Sequence, residues 1–198
     1  MNDFTSLKKM LQQWGELKPQ DSEDWQGDFP LPDVLVSFYQ EVGPWGPTYA
    51  EKIGPIGLEI ESFREPISIP PLFKLWELQS GYRWHGNTGE RLNDWKDTWI
   101  VVAECCGDPF VLDVSSGEML FGFHGAGKWD LASIAADINT AFGALSVIGS
   151  TLLNAGEEGY DDEMCDYTED TKKKVIEALS TFLNSENEAS ELLAVFEW

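Results

Sequence analysis

Apolar residues along this chain recur with two different periods. Phe4, Leu7, Met10, Leu11 and Trp14 follow three- and four-residue steps and stop at Gly15, which predicts a first helix. Residues 15–30 are polar, with Gly and Pro, and read as a loop. Pro32 suits the first turn of a helix, where its missing N–H is not needed. Val34, Leu35, Phe38, Tyr39 and Val42 supply the apolar face of that helix, and Gly43-Pro44 ends it. The run Gly43-Pro44-Trp45-Gly46-Pro47 is a turn-rich loop. Ile56 to Ile60 is a short strand candidate. Pro70-Pro71 introduces a helix through about Tyr82, with Leu72, Leu75, Trp76 and Leu78 facing the core.

The period changes between 98 and 123. Thr98 to Ala103 is β-branched and apolar, Gly107-Asp108-Pro109 is a turn, and Phe110 to Val114 is the next strand. Ser115 to Glu118 is a second tight turn before Met119 to Phe123. Short links between consecutive strands imply an antiparallel meander. Leu131, Ile134, Ile138, Phe142 and Leu145 then follow helical spacing, predicting a long helix from Trp129 or Asp130. Leu131 to Leu153 is apolar enough to be tested as a membrane span. Asp137 and Asn139 inside it, and its one-sided stripe, favour a helix packed on a core. A second stripe runs through Val175, Ile176, Leu179, Phe182 and Leu183. Ser185-x-x-Glu188 is a capping box ahead of Leu192, Leu193 and Phe196. These elements predict an α+β fold: a single central, largely antiparallel sheet flanked by helices, with a C-terminal helical extension. Residues 1–150 form the α+β domain in this reading, and 151–198 an acidic loop and helices packed back on it.

Composition narrows the partners. The 198 residues are 42% hydrophobic with 9 Trp, 11 Phe and 5 Tyr, enough for a real core, which excludes global disorder. The chain holds 35 acids against 13 Lys and Arg, a net charge of −22. A protein that grips nucleic acid by neutralising phosphates needs the opposite sign, and an anionic membrane would repel this one. A cationic protein or a metal ion is the natural partner of such a field. Residues 151–198 alone carry 13 acids and 3 lysines. The three cysteines, Cys105, Cys106 and Cys165, do not read as a disulfide framework. The N-terminal residues lack the layout of a signal peptide, so a cytoplasmic protein is expected.

Several motifs touch on chemistry. Gly122-Phe-His-Gly-Ala-Gly127-Lys128 matches the phosphate-binding loop G-x-x-x-x-G-K and sits between a predicted strand and a predicted helix. Trp129 stands where Ser or Thr should ligate magnesium, and Asp130 would repel phosphate. A glycine turn is the better reading. His85 and His124 show no zinc spacing with the cysteines, and Cys106 with His124 is only a formal nucleophile pair. Glu104, Asp108 and Asp113 could be paired acids, but Asp108 before Pro109 initiates a turn and Asp113 can cap the next one. The acidic run 157–170 lacks the alternating ligands of a calcium loop, since Asp161-Asp162-Glu163 is a block. It reads as a solvated loop or as a docking surface for a cationic partner.

A set of motifs in the first three quarters of the chain belongs together. Leu31-Pro32-Asp33-Val34-Leu35-Val36-Ser37-Phe38-Tyr39 ends in Val42-Gly43. Asp94-Trp95 precedes Trp99 to Ala103, then come Gly107-Asp108-Pro109-Phe110-Val111-Leu112-Asp113, Ser116-Gly117-Glu118, and Gly127-Lys128-Trp129. Over about residues 28–148 this order resembles the SUKH superfamily, whose eukaryotic members are regulators of cell-wall glucan synthesis. The resemblance implies an α+β fold with a central antiparallel sheet and a role without catalysis or cofactor. It implies that Pro32, Gly43, Gly107, Asp108, Pro109, Asp113, Gly117 and Trp129 are scaffold residues. Bacterial members of that superfamily are similar to immunity proteins that bind and neutralise polymorphic or contact-dependent toxins, many of them nucleases. The expectation is therefore an immunity-type protein for a cationic toxin domain; the alternative is a regulatory interaction module without a toxin. Exposed aromatics in the acidic field would anchor the partner. The candidates are Trp45 and Tyr49 in the proline-rich loop, and Tyr160 and Tyr167 among Glu157, Glu158, Asp161, Asp162, Glu163 and Asp166.

Overall fold

A computed structural model describes residues 3–198; Met1 and Asn2, where the N-terminal segment read above begins, lie outside the described residues. Helix α1 (Thr5–Leu11) buries Leu7 and Leu11 and tightens into a 3-10 turn at Gln12–Trp14. Helix α2 (Asp33–Glu41) starts directly after Pro32, as its fixed φ favours, and buries Leu35, Phe38 and Tyr39. The stretch 15–30 is more ordered than a polar loop: Asp21 caps a 3-10 turn at Ser22–Asp24, and Leu17 bridges Pro44. Strand β1 (Leu58–Ile60) is followed by β2 (Ile67–Ile69), which three residues were too few to announce. Helix α3 (Leu72–Leu78) begins after Pro70-Pro71 and stops short of Tyr82.

The meander is present and longer than expected. Strands β3 (Trp99–Cys105), β4 (Asp108–Asp113), β5 (Met119–Phe121) and β6 (Ala132–Ala135) continue β1 and β2. They form a six-stranded sheet, antiparallel throughout, in the order of the sequence. The turn between β3 and β4 lies one residue earlier than predicted. Cys106 (φ 51°) and Gly107 (φ 89°) both adopt positive φ, the two-residue hairpin geometry that matches strand twist, so Asp108 and Pro109 open β4. Pro109 lies ahead of Phe110, where pairing with β5 begins, so its missing N–H costs no bond on that side.

The expected helix from Trp129 is a correction. Ala132–Ala135 is strand β6, and α4 (Ile138–Ala155) starts only after Asp137, whose carboxylate accepts the Thr140 N–H at 2.8 Å. Asp137 is thus a cap rather than a polar interruption. Helix α4 has the length and composition of a membrane span, and 56% of that window is buried inside the fold. It crosses one face of the sheet, with Phe38 tilted against Phe142 at 5.5 Å. A Cβ on Gly149 would come within 2.5 Å of the Glu61 carbonyl oxygen, so only glycine allows this approach to β1. Residue 150 falls within α4. Beyond it, the short hairpin of β7 (Tyr160–Asp161) and β8 (Asp166–Tyr167) leads to α5 (Glu169–Leu183) and α6 (Glu186–Val195). Ser185 caps α6 by accepting the Glu188 N–H at 3.2 Å. Val175, Leu179, Leu192 and Leu193 close a second core against Ile148 and Leu152 of α4.

The other face of the sheet is covered by loops. Tyr82, Trp95, Trp99 and Trp129 form an aromatic plug with ring centroids 5.3–5.5 Å apart. Two buried glutamines tie loops and helices to the sheet. The Gln79 amide donates to the Val101 carbonyl at 2.8 Å and accepts the Val101 N–H at 2.9 Å. It thereby takes the place of β2, which pairs with β3 only at Glu104, while Val101 keeps its partner Val111 in β4. Gln20 donates to the Pro44 carbonyl at 2.8 Å and accepts the Leu72 N–H at 2.6 Å.

Candidate functional site

The acidic run is a folded element. Helix α4 ends at Gly156 (φ 59°), and a 3-10 turn at Glu157–Gly159 redirects the chain into β7. Tyr160 pairs with Tyr167 and Asp161 with Asp166. Asp161 then closes the hairpin tip with its own carboxylate, which accepts the N–H groups of Glu163 (2.9 Å) and Met164 (3.1 Å). Thr168 caps α5, and the Lys172 ammonium holds Asp166 at 2.6 Å. The block Asp161-Asp162-Glu163 that spoils a calcium loop is therefore turn chemistry.

The hairpin rests on a row of rings. Tyr160 meets Tyr167 edge-on at 5.3 Å, Tyr167 meets Phe63 at 6.5 Å, and Phe63 stacks on Trp198 at 3.8 Å. Phe63 comes from the β1–β2 turn and Trp198 from beyond α6, so the row joins segments far apart in sequence. Tyr160 is 40% exposed and Met164, at the hairpin tip, 75%. Around them Glu157, Glu158, Asp162, Glu163, Glu169 and Asp170 face solvent. The three lysines of α5 offset only part of this field. Lys172 binds Asp166 and Glu169, Lys173 faces Glu177, and Lys174 binds Asp170. The hydrogen bond from Lys172 holds the Asp166 carboxyl below its ordinary pKa, and the same contact raises that of Lys172. Burial pushes the Tyr167 phenol up, with Glu61 and Tyr160 adding to the shift. The result is a row of packed aromatic rings beneath a hairpin whose outer residues are largely acidic.

Trp45 and Tyr49 belong elsewhere. The Trp45 carbonyl accepts the Gly57 N–H at 2.9 Å, just before β1, whereas Phe63 lies past the other end of that strand. Trp45 is half-buried, under the Lys18 ammonium (4.1 Å) and edge-on to Phe73 (6.2 Å). Tyr49 is 75% exposed in the same loop. The four aromatic candidates thus divide between two separate surfaces. Phe63, Met164 and Trp198 were missed by sequence reading. Met164 could have been found, as the apolar residue in the middle of the acidic run; Phe63 and Trp198 carry no local signal.

The other motifs resolve into structure. The Gly122–Lys128 loop leads into strand β6, so the strand–loop–helix context of a phosphate loop is missing. Asp108 and Asp113 sit at opposite ends of β4, which separates them as paired acids. The Asp108 carboxylate accepts the His124 N–H at 2.8 Å and touches its ring Nδ1 at 2.6 Å, fastening the glycine loop to the β3–β4 hairpin. The partner of His124 is therefore Asp108 rather than a thiol. Burial pushes the Cys105 thiol up, and its proton goes to the Glu65 carbonyl at 3.1 Å. Asp113 accepts hydrogen bonds from Trp99 Nε1 (3.0 Å) and from Ser115 Oγ (2.6 Å). Gly43 and Gly117 have φ of 65° and 84°, and Trp129 belongs to the aromatic plug. Among the described residues no group of three or more His, Cys, Asp or Glu could hold a metal ion.

Fold and surface together define an α+β protein with an acidic hairpin set on a row of aromatic rings. No protein-family model, no curated protein and no solved structure matches the chain.

Proposed function

We propose that the chain is a non-catalytic binding protein that captures a cationic protein domain, and that this partner is a toxin domain which it neutralises. The observation that carries the reading is the hairpin surface: Tyr160 and Met164 stand exposed in a segment whose solvent-facing Glu157, Glu158, Asp162 and Glu163 have no salt-bridge partner among the described residues, while Lys172, Lys173 and Lys174 are paired to Asp166, Glu177 and Asp170. Apolar anchors within a single-signed field are what a partner with the opposite charge and a desolvated centre would use. The resemblance of residues 28–148 to SUKH immunity proteins supports a toxin as that partner. A basic, nuclease-like domain has the required charge, since a cleft that binds phosphates must be cationic. The exposed free thiols of Cys106 and Cys165 suit a reducing compartment.

Neutralisation would be steric and electrostatic. Attraction between the two fields speeds encounter, and salt screens it over a Debye length of about 8 Å at physiological ionic strength. The test is co-expression with a basic toxin domain encoded beside this gene, followed by stopped-flow association of the purified pair. Restored growth, and an on-rate that falls at least about tenfold between 0.05 and 0.5 M salt, are expected. An on-rate that changes less than twofold would remove the electrostatic basis. Absence of a complex with such a domain would remove the toxin as partner.

A further inference from the structure

The sheet ends at β6, a four-residue edge strand whose register shifts against β5 between Met119 and Leu120. Ala132–Ala135 pairs with β5 on one side only. The strand carries neither a charge nor a proline, and Ala132 and Ser133 are exposed. Natural sheets blunt such edges with short strands, bulges, lysine, proline or a covering segment, because the free N–H and C=O groups invite another chain; β6 has the first two and neither of the next two. A groove of about 640 Å³ lies between β6 and the corner where α5 meets α6, with α6 packed near the strand. Phe182, Leu183 and Val195 give it apolar walls, and Glu118, Glu188 and Glu191 stand on its rim, with no basic residue among those lining it.

We infer that the β6 edge receives an extended segment of the cationic partner as a seventh strand, with lysine or arginine side chains reaching the three rim glutamates. The inference rests on the reading of this chain as a binder of a cationic protein. Main-chain pairing with the four residues of β6 supplies a register, and side chains alternate so that every second one enters the apolar groove. Charge decides between this occupant and a second copy of the chain. A pairing of β6 with its own copy would bring a second set of the same three rim glutamates to the edge, between molecules that each carry a net charge of −22. A basic strand meets the opposite situation. The groove is also separate from the hairpin ridge, so the two surfaces are testable independently.

The probe is a synthetic heptapeptide of alternating valine and lysine, titrated into 15N-labelled full-length protein. The control peptide has the same charge but N-methyl groups on alternate residues, which block strand pairing. The amide signals of Ala132 to Ala135 are expected to shift and to exchange at least tenfold more slowly. N-methylation should weaken binding at least tenfold, and Glu188→Gln with Glu191→Gln at least threefold; both positions are exposed, so the fold tolerates the change. Equal binding of the N-methylated peptide overturns the inference. So do shifts confined to Tyr160 to Tyr167, although these leave the cationic-partner reading intact. A molecular mass that doubles while the β6 signals shift without peptide identifies a second copy as the occupant and also overturns it. Binding of neither peptide at 5 mM overturns it as well, and the salt dependence of toxin association then decides the broader reading separately.

Discussion

Gln79 offers the sharpest test of how the fold is held. Its side chain is fully buried and bonds to both main-chain groups of Val101, which pairs with Val111 of β4 but has no partner in β2. Replacing it by alanine leaves one N–H and one C=O in the core without a partner. An orphaned buried group costs about 1–3 kcal/mol, so Gln79→Ala should destabilise by about 2–6 kcal/mol. That is a large part of the roughly 5–15 kcal/mol that holds a domain together. Gln79→Glu should be at least as damaging, because a carboxylate accepts the Val101 N–H but cannot donate to the carbonyl unless it takes up a proton. Urea unfolding monitored by Trp fluorescence measures this, with Ser190→Ala, which loses an exposed bond to the Glu186 carbonyl, as the control expected to stay within about 0.5 kcal/mol. The Val101 amide should also exchange faster than its neighbours in the variant. A loss below about 1 kcal/mol at unchanged m-value would refute the surrogate-strand argument.

Other outcomes follow from the same contacts. If the hairpin is the binding face we propose, Tyr160→Ala and Met164→Ala should weaken binding of the cationic partner at least tenfold while moving Tm by less than about 3 °C; titration calorimetry and thermal melts check both. Gly46→Ala places a Cβ 1.6 Å from the Gly57 carbonyl oxygen at φ +70°, so the variant should fail to fold or melt more than about 10 °C lower by calorimetry. Burial pulls the Asp113 carboxyl up, but hydrogen bonds from Ser115, Thr98 and Trp99 outweigh it and hold the group below its ordinary pKa. Its carboxylate therefore stabilises the fold above the unfolded value of about 3.9, and that contribution is lost as pH falls through the lower folded value. The stability gap between wild type and Asp113→Asn should narrow from pH 7 to pH 2, and a constant gap would contradict the assignment. Ser185→Ala removes the α6 cap and should cost about 1 kcal/mol in urea unfolding.

What the sequence made legible depended on whether the determining contact was local. Helices α1 and α2 and strands β3 to β5 carry strong periods and turn residues within a few positions, and they could be placed. Strand β6 could not, because Ala-Ser-Ile-Ala has no alternation of its own, and Leu131 and Ile134 happen to extend the spacing of Ile138 and Phe142 backwards. Asp137 carried the correct signal, a cap directly before the true start of α4. Strand β2 is set by pairing with β1 and β3. The acidic field of the hairpin was visible as composition, and Tyr160 and Tyr167 as its aromatics. The support beneath them was not, because Phe63 and Trp198 reach the site from opposite parts of the chain. The two buried glutamines look like ordinary polar residues until their backbone partners are known.

The order of the sheet has a bearing on how the chain acquires its shape. Each strand lies beside the one synthesised just before it, so the sheet can grow by successive local hairpins as the polypeptide emerges, without waiting for distant segments. Helix α1 is the exception. Gln13, in the turn that follows it, bonds to Ser146, 133 residues further on, so α1 finds its place only after α4 has been made. Until α4 arrives, Leu7 and Leu11 lack that part of the finished core, and the nascent chain carries an amphipathic segment open to chaperones.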